Sequence, residues 1–447
     1  MSTSPDHQSP PGVVELREDV PLKSSGTAPR TCANGPRFII AAFAALSAAI
    51  TIALLTQLYY GVYEVVPHGS VSSSAAECSR SGALVLRHGG GAIDATATAA
   101  LCLAILAPHR TSLDASGALV YWQYRLSQTQ LPTIIEWGGP TTPAVNTTGP
   151  SIPRPPRLLV ALAALHAQYG VLPWADVLQP AIDIARTGIT IPEAPLLPDG
   201  THAGGNSLAI ADYLETFKHN TSAALCGLWH CDVTARPGVG ERAGPWRVYA
   251  GGAGGAIAAR ALTALGVNDS VADATKSVLS SLQVAAAGAG PAGAVAWPGG
   301  VASGLAVVDP SDTYVALVTG LSQPFGSGVS AGDAGGASAW TPDEPTAPLD
   351  LAPAIIVQPD VCGTRYILGA ESASALAQVA AAALTGAGPV RAVEGPRAEV
   401  LPGGALLPDP NPAAPAAPAP AVNLIQQQGD ALLSHADSRG GGLAERF

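Results

Sequence analysis

Between Phe38 and Thr56 the chain reads FIIAAFAALSAAITIALLT, 19 residues without a charge. At ~1.5 Å per residue, a helix of that length matches the ~30 Å hydrocarbon core of a bilayer. The uncharged run continues to Tyr63, and Tyr59, Tyr60 and Tyr63 stand where an interfacial aromatic belt belongs. A cleaved signal peptide has a shorter apolar core and a shorter leader than the 37 residues found here, so a retained anchor is expected over 38–58. Lys23, Arg30 and Arg37 precede the run, whereas the first Lys or Arg after it is Arg80. The positive-inside rule therefore predicts a single-pass type II protein with a cytosolic N-terminus and a lumenal or extracellular remainder. Three sequons, at Asn146, Asn220 and Asn268, all follow the anchor, where glycosylation would reach them.

Composition removes one large class of function. Acidic residues outnumber basic ones, 33 to 22, and no Lys/Arg-rich run exists, so a grip on nucleic-acid phosphates is excluded. Hydrophobic residues make up 47% of the chain, ample for a core. Cys32 falls on the cytosolic side, while Cys78, Cys102, Cys226, Cys231 and Cys362 face an oxidising compartment. Cys226 and Cys231 bound CGLWHC, close enough for a small disulfide loop. With His219 and His230 nearby a zinc site is conceivable, but the spacing matches no zinc pattern. Cys78 and Cys102 can pair across a helix, which leaves Cys362 single unless one of these pairings is different. No cofactor and no metal are expected, and no protein partner is named by the sequence.

Residues 1–37 read as a disordered cytosolic tail and 59–73 as a stalk. A folded ectodomain is expected over 74–400, followed by a Pro/Ala-rich disordered tail over 401–447. Within the ectodomain, helices are expected at 76–88 and 92–106, the second buried all round and stopped before Pro108. Strands follow at 117–124 and 132–137, and helices at 157–169 and 174–186. GLAVVD and TYVALVT, separated by Pro310-Ser311-Asp312, form a hairpin; further strands at 351–358 and 365–369 lead to an apolar helix over 371–384. The fold class is α+β in layers.

Five blocks together resemble the γ-glutamyltransferase (glutathione hydrolase) family: AAECSRSGALVLRHGGGAIDATATAALCLAILAPH, YGVLPWADVLQPAIDIARTGI, YAGGAGGAIAARALTALG, GLAVVDPSDTYVALVTGLSQPFGSG, and APLDLAPAIIV with CGTRYILGA. The second and fourth are the most specific. The resemblance implies an αββα sandwich of the N-terminal-nucleophile hydrolase type. It also implies disulfides Cys78–Cys102 and Cys226–Cys231, and action on glutathione or γ-glutamyl peptides. In that family a threonine opening the nucleophile strand cleaves the chain before itself, and its freed amine serves as base for its own hydroxyl.

Carried onto this sequence, the nucleophile falls on Ala302, which has no hydroxyl, and Ser303 takes its place only if the strand slips by one residue. The family's glutamyl-binding Asn falls on Ser322, its Ser-Ser pair on Asp350-Leu351, and the Gly-Gly of its oxyanion hole on Ser372-Ala373. The stretch EWGGPTTP lacks the carboxylate-binding Arg. Two readings result: a glutathione hydrolase acting through Ser303, with Ser322 and Ser372 as substrate contacts, or a pseudoenzyme that binds without turnover.

Overall fold

The computed structural model describes residues 35–60, 68–127, 129–140, 155–187, 208–229, 231, 233–266, 268–289, 296–326, 343–360, 363–408 and 419–447. Tyr63, Asn146, His230 and Cys362, and most of the 1–37 tail, lie outside them. The chain divides into two units, Met1–Glu64 and Val65–Phe447. In the first, α1 (Gly35–Tyr60) extends for 26 residues, about 39 Å at the α-helical rise. Its Arg37–Thr56 segment buries none of its side chains within the protein, and Phe38 and Phe43 are each 72% exposed. An apolar helix of this length and composition is a candidate membrane span.

The second unit opens with β1 (Ser70–Ser73), α2 (Ala76–Arg87), α3 (Ala92–Leu106), β2 (Ser116–Gln123) and β3 (Thr133–Trp137). Four helices follow: α4 (Arg157–Tyr169), α5 (Trp174–Thr187), α6 (Leu208–Glu215) and α7 (Ser222–Trp229). Next come β4 (Thr234–Pro237), β5 (Glu241–Ala243), β6 (Trp246–Ala250), α8 (Gly252–Leu262) and α9 (Val271–Gly288). The hairpin is β7 (Val301–Val308) and β8 (Thr313–Leu321), followed by β9 (Ala352–Val357), β10 (Arg365–Ala370), α10 (Ala373–Leu384) and α11 (Pro389–Glu394). The chain closes with β11 (Ala398–Val400), β12 (Leu406–Pro408), β13 (Val422–Gln428), β14 (Ala431–Ala436) and β15 (Leu443–Arg446).

Two antiparallel sheets stack face to face. One has the order β15-β1-β7-β8-β2-β3-β4 and the other β14-β13-β10-β9-β6-β5. Alternation along each strand sorts side chains into three layers. Leu305 and Val307 of β7 face the core built with α2 to α7. Ala306 and Val308 face the other sheet, against Ile355, Ile367 and Ile425. Ile356, Leu368 and Leu424 face outward again onto α8 to α11. The αββα sandwich implied by the resemblance is therefore the fold.

Two signature motifs of the sequence meet at one carboxylate. Asp94, in the first turn of α3 and fully buried, accepts hydrogen bonds from the amides of Gly91 at 2.9 Å, Val171 at 3.0 Å and Leu172 at 3.1 Å. The GGGAIDA turn and the YGVLPW loop are thus one structural unit. Three charge-assisted bonds satisfy the carboxylate that burial would otherwise penalise. Cys78–Cys102 joins α2 to α3 with Cα atoms 5.3 Å apart, and Cys226–Cys231 closes the end of α7 at 4.8 Å.

Two boundaries differ from expectation. The last four residues of the expected stalk are β1, fully inside the first sheet between β15 and β7. SVSS carries little hydropathy signal, but its buried hydroxyls find partners: Ser70 donates to the Glu445 carbonyl, and Ser72 to the His435 carbonyl at 3.1 Å. The expected disordered tail over 401–447 contains β12 to β15; its 409–418 stretch lies outside the described residues. Pro/Ala composition masks a hairpin whose Val422, Leu424 and Ile425 are fully buried. Deleting residues 420–447 removes two strands of one sheet and the partner of β1 in the other. The truncated chain should show no cooperative thermal transition. A melt like that of the full chain would make the segment peripheral.

Candidate active site

The nucleophile position inferred from the resemblance lies at the start of β7, in the cleft between the sheets. Ala302 is opposite Gly320 of β8, and Ser303 opposite Thr319. Period-2 alternation puts Ala302 on the inter-sheet face with Ala306, and Ser303 on the opposite face with Leu305, toward α3. Ser303 is 1% exposed, and its hydroxyl has no hydrogen-bond partner among the described residues. Its cross-strand neighbour Thr319 is already bonded to Thr111, Oγ1 to Oγ1 at 2.7 Å.

One contact fixes this register. A Cβ on Gly304 would stand 2.5 Å from the carbonyl oxygen of Gly369 on β10, and a Cβ on Gly369 would stand 2.5 Å from that of Leu305. The sheets therefore touch backbone to backbone, which only glycine on both strands permits. Slipping β7 by one residue to bring Ser303 into the cleft would drive Leu305 into the Gly369 carbonyl. Asn423 reinforces the contact by donating from Nδ2 to the Gly304 carbonyl at 2.8 Å.

The cleft beside Ala302 is occupied by aliphatic side chains. Ala302 packs with Ala118, Val318, Leu349 and Leu351, and a Cβ on Gly320 would meet Leu351 Cδ2 at 2.8 Å and the Ala302 Cβ at 3.3 Å. Just before β7, the Gly299 carbonyl accepts from the Asp350 amide at 2.8 Å, which pins this wall to the strand entrance.

Several polar groups at the same end of the sandwich are already engaged. Ser372 caps α10 by accepting from the Ala375 amide at 3.1 Å, and donates to Glu399 at 3.0 Å. The Ala373 amide donates to Asp350 Oδ1 at 2.8 Å. Asp350 is held well above the usual carboxylate range, first by burial and then by the nearby charge of Glu399. Ser322 donates its amide to Asp343 at 3.1 Å and its hydroxyl to the same carboxylate. Arg110 is buried in an ion pair with Glu371, which also accepts from Ser74 Oγ and the Ala421 amide, each at 2.8 Å. His109 is pushed down to about 4, first by burial and then by Arg110, and is neutral at pH 7. Its Nδ1 is buried without a partner among the described residues.

Sequence reasoning placed Ser322 and Ser372 near substrate; the structure ties both into internal hydrogen bonds. It missed the Asp350–Ala373 bond, the Arg110–Glu371 pair and the filling of the cleft by Leu351. PLDLAPAI does announce a carboxylate at a strand entrance, but which amide it meets is a tertiary matter. Among the described residues, no group of three His, Cys, Asp or Glu side chains is placed to hold a metal ion.

No protein-family model matches the chain. Human glutathione hydrolase 7 is 30% identical to it over 184 residues, covering 40% of this chain and 28% of that protein. Glutathione hydrolase 6 of Bos taurus is 37% identical over 131 residues, covering 29% and 24%. The matches thus span about a quarter of the length of these curated relatives. In fold, the cephalosporin acylase of Bacillus halodurans superimposes with a TM-score of 0.65 at 16% identity, over 85% of this chain and 96% of that one.

Burial pushes the Glu399 carboxyl up to about 7, against the opposing hydrogen bonds of Ser372 and Ser374 and the charge of Arg397. Because an unfolded glutamate titrates near 4.5, the folded chain binds more protons between about 4.5 and 7. Stability should therefore fall as pH rises through that window. The side chain is only partly buried, which limits the loss to about 2 kcal/mol. Urea denaturation at pH 5 and pH 7.5 should show this slope in the native chain and a shallower one in Glu399→Gln, where the raised Asp350 carboxyl still contributes in the same direction. An equal slope in both would exclude Glu399 as its source.

Proposed function

We propose that this chain, a member of the γ-glutamyltransferase (glutathione hydrolase) family, keeps the family scaffold without its turnover and serves as a membrane-anchored surface binding protein. The observation that carries this reading is the orientation of Ala302 and Ser303. The residue that faces the cleft has no hydroxyl, and the neighbouring residue that has one faces the helices.

The chemistry of the family needs a hydroxyl, a base and donors for a developing oxyanion. Ala302 supplies no hydroxyl, so self-cleavage before it has no attacking atom. Without cleavage no α-amine is released, so the base is missing as well. The backbone amide at the second oxyanion position, Ala373, is bonded to Asp350. Loss of one such donor alone typically lowers turnover ~10²–10³-fold. The space a γ-glutamyl group needs beside the nucleophile is taken by Leu351. Each departure supports the same conclusion by a different physical route.

A second reading, glutathione hydrolysis through Ser303, draws on one observation: a buried hydroxyl with no partner among the described residues. It requires the slip of β7 that the Gly304–Gly369 contact opposes.

The anchor reading places the N-terminus in the cytosol and the sandwich in the lumen or outside. Asn220 and Asn268 are exposed on the sandwich, as acceptors must be. Glycosidase treatment of the chain from mammalian cells should lower its apparent mass, and unmodified Asn146, Asn220 and Asn268 would contradict this orientation.

On a reducing gel the same protein should run as one band, and it should release no aniline from a γ-glutamyl anilide above the blank. Ala302→Thr should not restore activity, because Asp350 and Leu351 still fill the site. A fragment beginning at Ser303, or turnover that Ser303→Ala abolishes, would establish the hydrolase reading instead.

A further inference from the structure

At the end of the sandwich opposite Ala302, the two sheets part to leave an open cleft of about 640 Å³. β9 runs the distance between the two places, from beside Leu351 to Val357, about 20 Å at the extended rise. Three aromatic rings form its wall. Trp122 packs edge-on to Tyr124 at 5.1 Å and to Tyr249 at 5.3 Å between ring centroids, with the Trp122 indole N–H donating to the Gln130 carbonyl at 3.2 Å. The rim is apolar: Leu131 is 59% exposed and Val239 75% exposed.

Positive charge is collected on one side of this cleft. Arg247 of β6 and Arg365 of β10 are both in register with Val357 of β9, and so share its inter-sheet face about 10 Å apart. Arg247 lines the cleft. Its guanidinium donates a long hydrogen bond of 3.4 Å to the Gly240 carbonyl, and among the described residues no carboxylate lies within ion-pair distance of it. Arg365 is only 6% exposed, with its guanidinium 4.5 Å from the ring centre of Tyr124. It donates to the Gly363 carbonyl at 3.0 Å and to the Tyr314 hydroxyl at 3.2 Å, and likewise meets no carboxylate among the described residues. The acidic group of this neighbourhood, Asp312, is already bound to Arg125 at 2.9 Å and to Gln427 at 2.8 Å.

The buried Arg365 guanidinium, with no carboxylate on it among the described residues, keeps the cleft positive beside the exposed Arg247, and an aromatic wall with an apolar rim favours a flat apolar body. Arginine is also the side chain best shaped to receive a carboxylate. We propose that this cleft is a binding site for a small aryl carboxylate, its ring against Trp122 and Tyr249 and its carboxylate on Arg247. Arg365 sits behind Tyr124 and adds positive potential without touching the ligand. The site lies on the far side of the inter-sheet core from Ala302, so ligand binding there needs no intact catalytic residue.

The test is isothermal titration of 1-naphthoate into the full chain in nanodiscs. Saturable one-to-one binding is expected, with neutral 1-naphthamide at least 10-fold weaker. Arg247→Ala should weaken naphthoate at least 10-fold with an unchanged thermal midpoint, since Arg247 is exposed and bonds no other side chain among the described residues. Val239→Glu, which adds a negative charge at the exposed rim, should weaken it independently, and Arg247→Lys should restore part of the loss. Absence of saturable binding, equal affinity for the amide, or unchanged affinity in both Arg247→Ala and Val239→Glu would overturn the proposal.

Discussion

The backbone contact between Gly304 and Gly369 is the constraint on which the rest of this structure depends. Two sheets carrying side chains stack about 10 Å apart. Here glycine on each strand lets β7 and β10 meet main chain to main chain. That meeting sets the register of β7 against the second sheet. The register in turn decides which of Ala302 and Ser303 looks into the cleft. Asn423, bonded to the Gly304 carbonyl and linked to Ser72 and Ser74, extends the lock to β13 and β1. A polar network of this kind, satisfied on every side, resists sliding more than an apolar contact of the same area.

Seen from this lock, the signature motifs divide into scaffold and site. The GGGAIDA turn and YGVLPW loop converge on Asp94, and the Asp309 of GLAVVD accepts from the amides of Ala92, Ser311 and Thr313. These carboxylates fold the chain and touch no cleft residue. The cleft beside the start of β7 holds Ala302 and Leu351, and the neighbouring Asp350 carboxyl accepts from the Ala373 amide. Folding carboxylates and cleft residues satisfy separate physical demands, so one set can change without the other.

The two ends of the sandwich show opposite treatment of charge. Beside Ala302, Asp350 and Glu371 are buried and Glu399 half-buried, and their carboxyls find hydroxyls, amides or Arg110. At the far end, Arg365 meets the Tyr124 face and the Gly363 carbonyl, and Arg247 the Gly240 carbonyl, with no carboxylate on either among the described residues. Low dielectric magnifies both arrangements. The first is closed on itself, and the second has positive charge with room beside it.

The sequence by itself determined the apolar segment around Phe38–Thr56, the helix pair at 76–106 and the β7–β8 hairpin. Each is carried by a local signal: an uncharged run, 3.6-residue or two-residue periodicity, or turn residues. The two cysteine pairings came from the family resemblance, and the structure forms both. Tertiary structure alone decided the rest. SVSS became a core strand because its hydroxyls found carbonyls on β14 and β15, and the Pro/Ala-rich end supplied three strands because two sheets needed them. The facing of Ser303 could not be read from its neighbours in sequence. It is set by a contact with Gly369, 66 residues away, where the absence of two Cβ atoms leaves room for only one alignment.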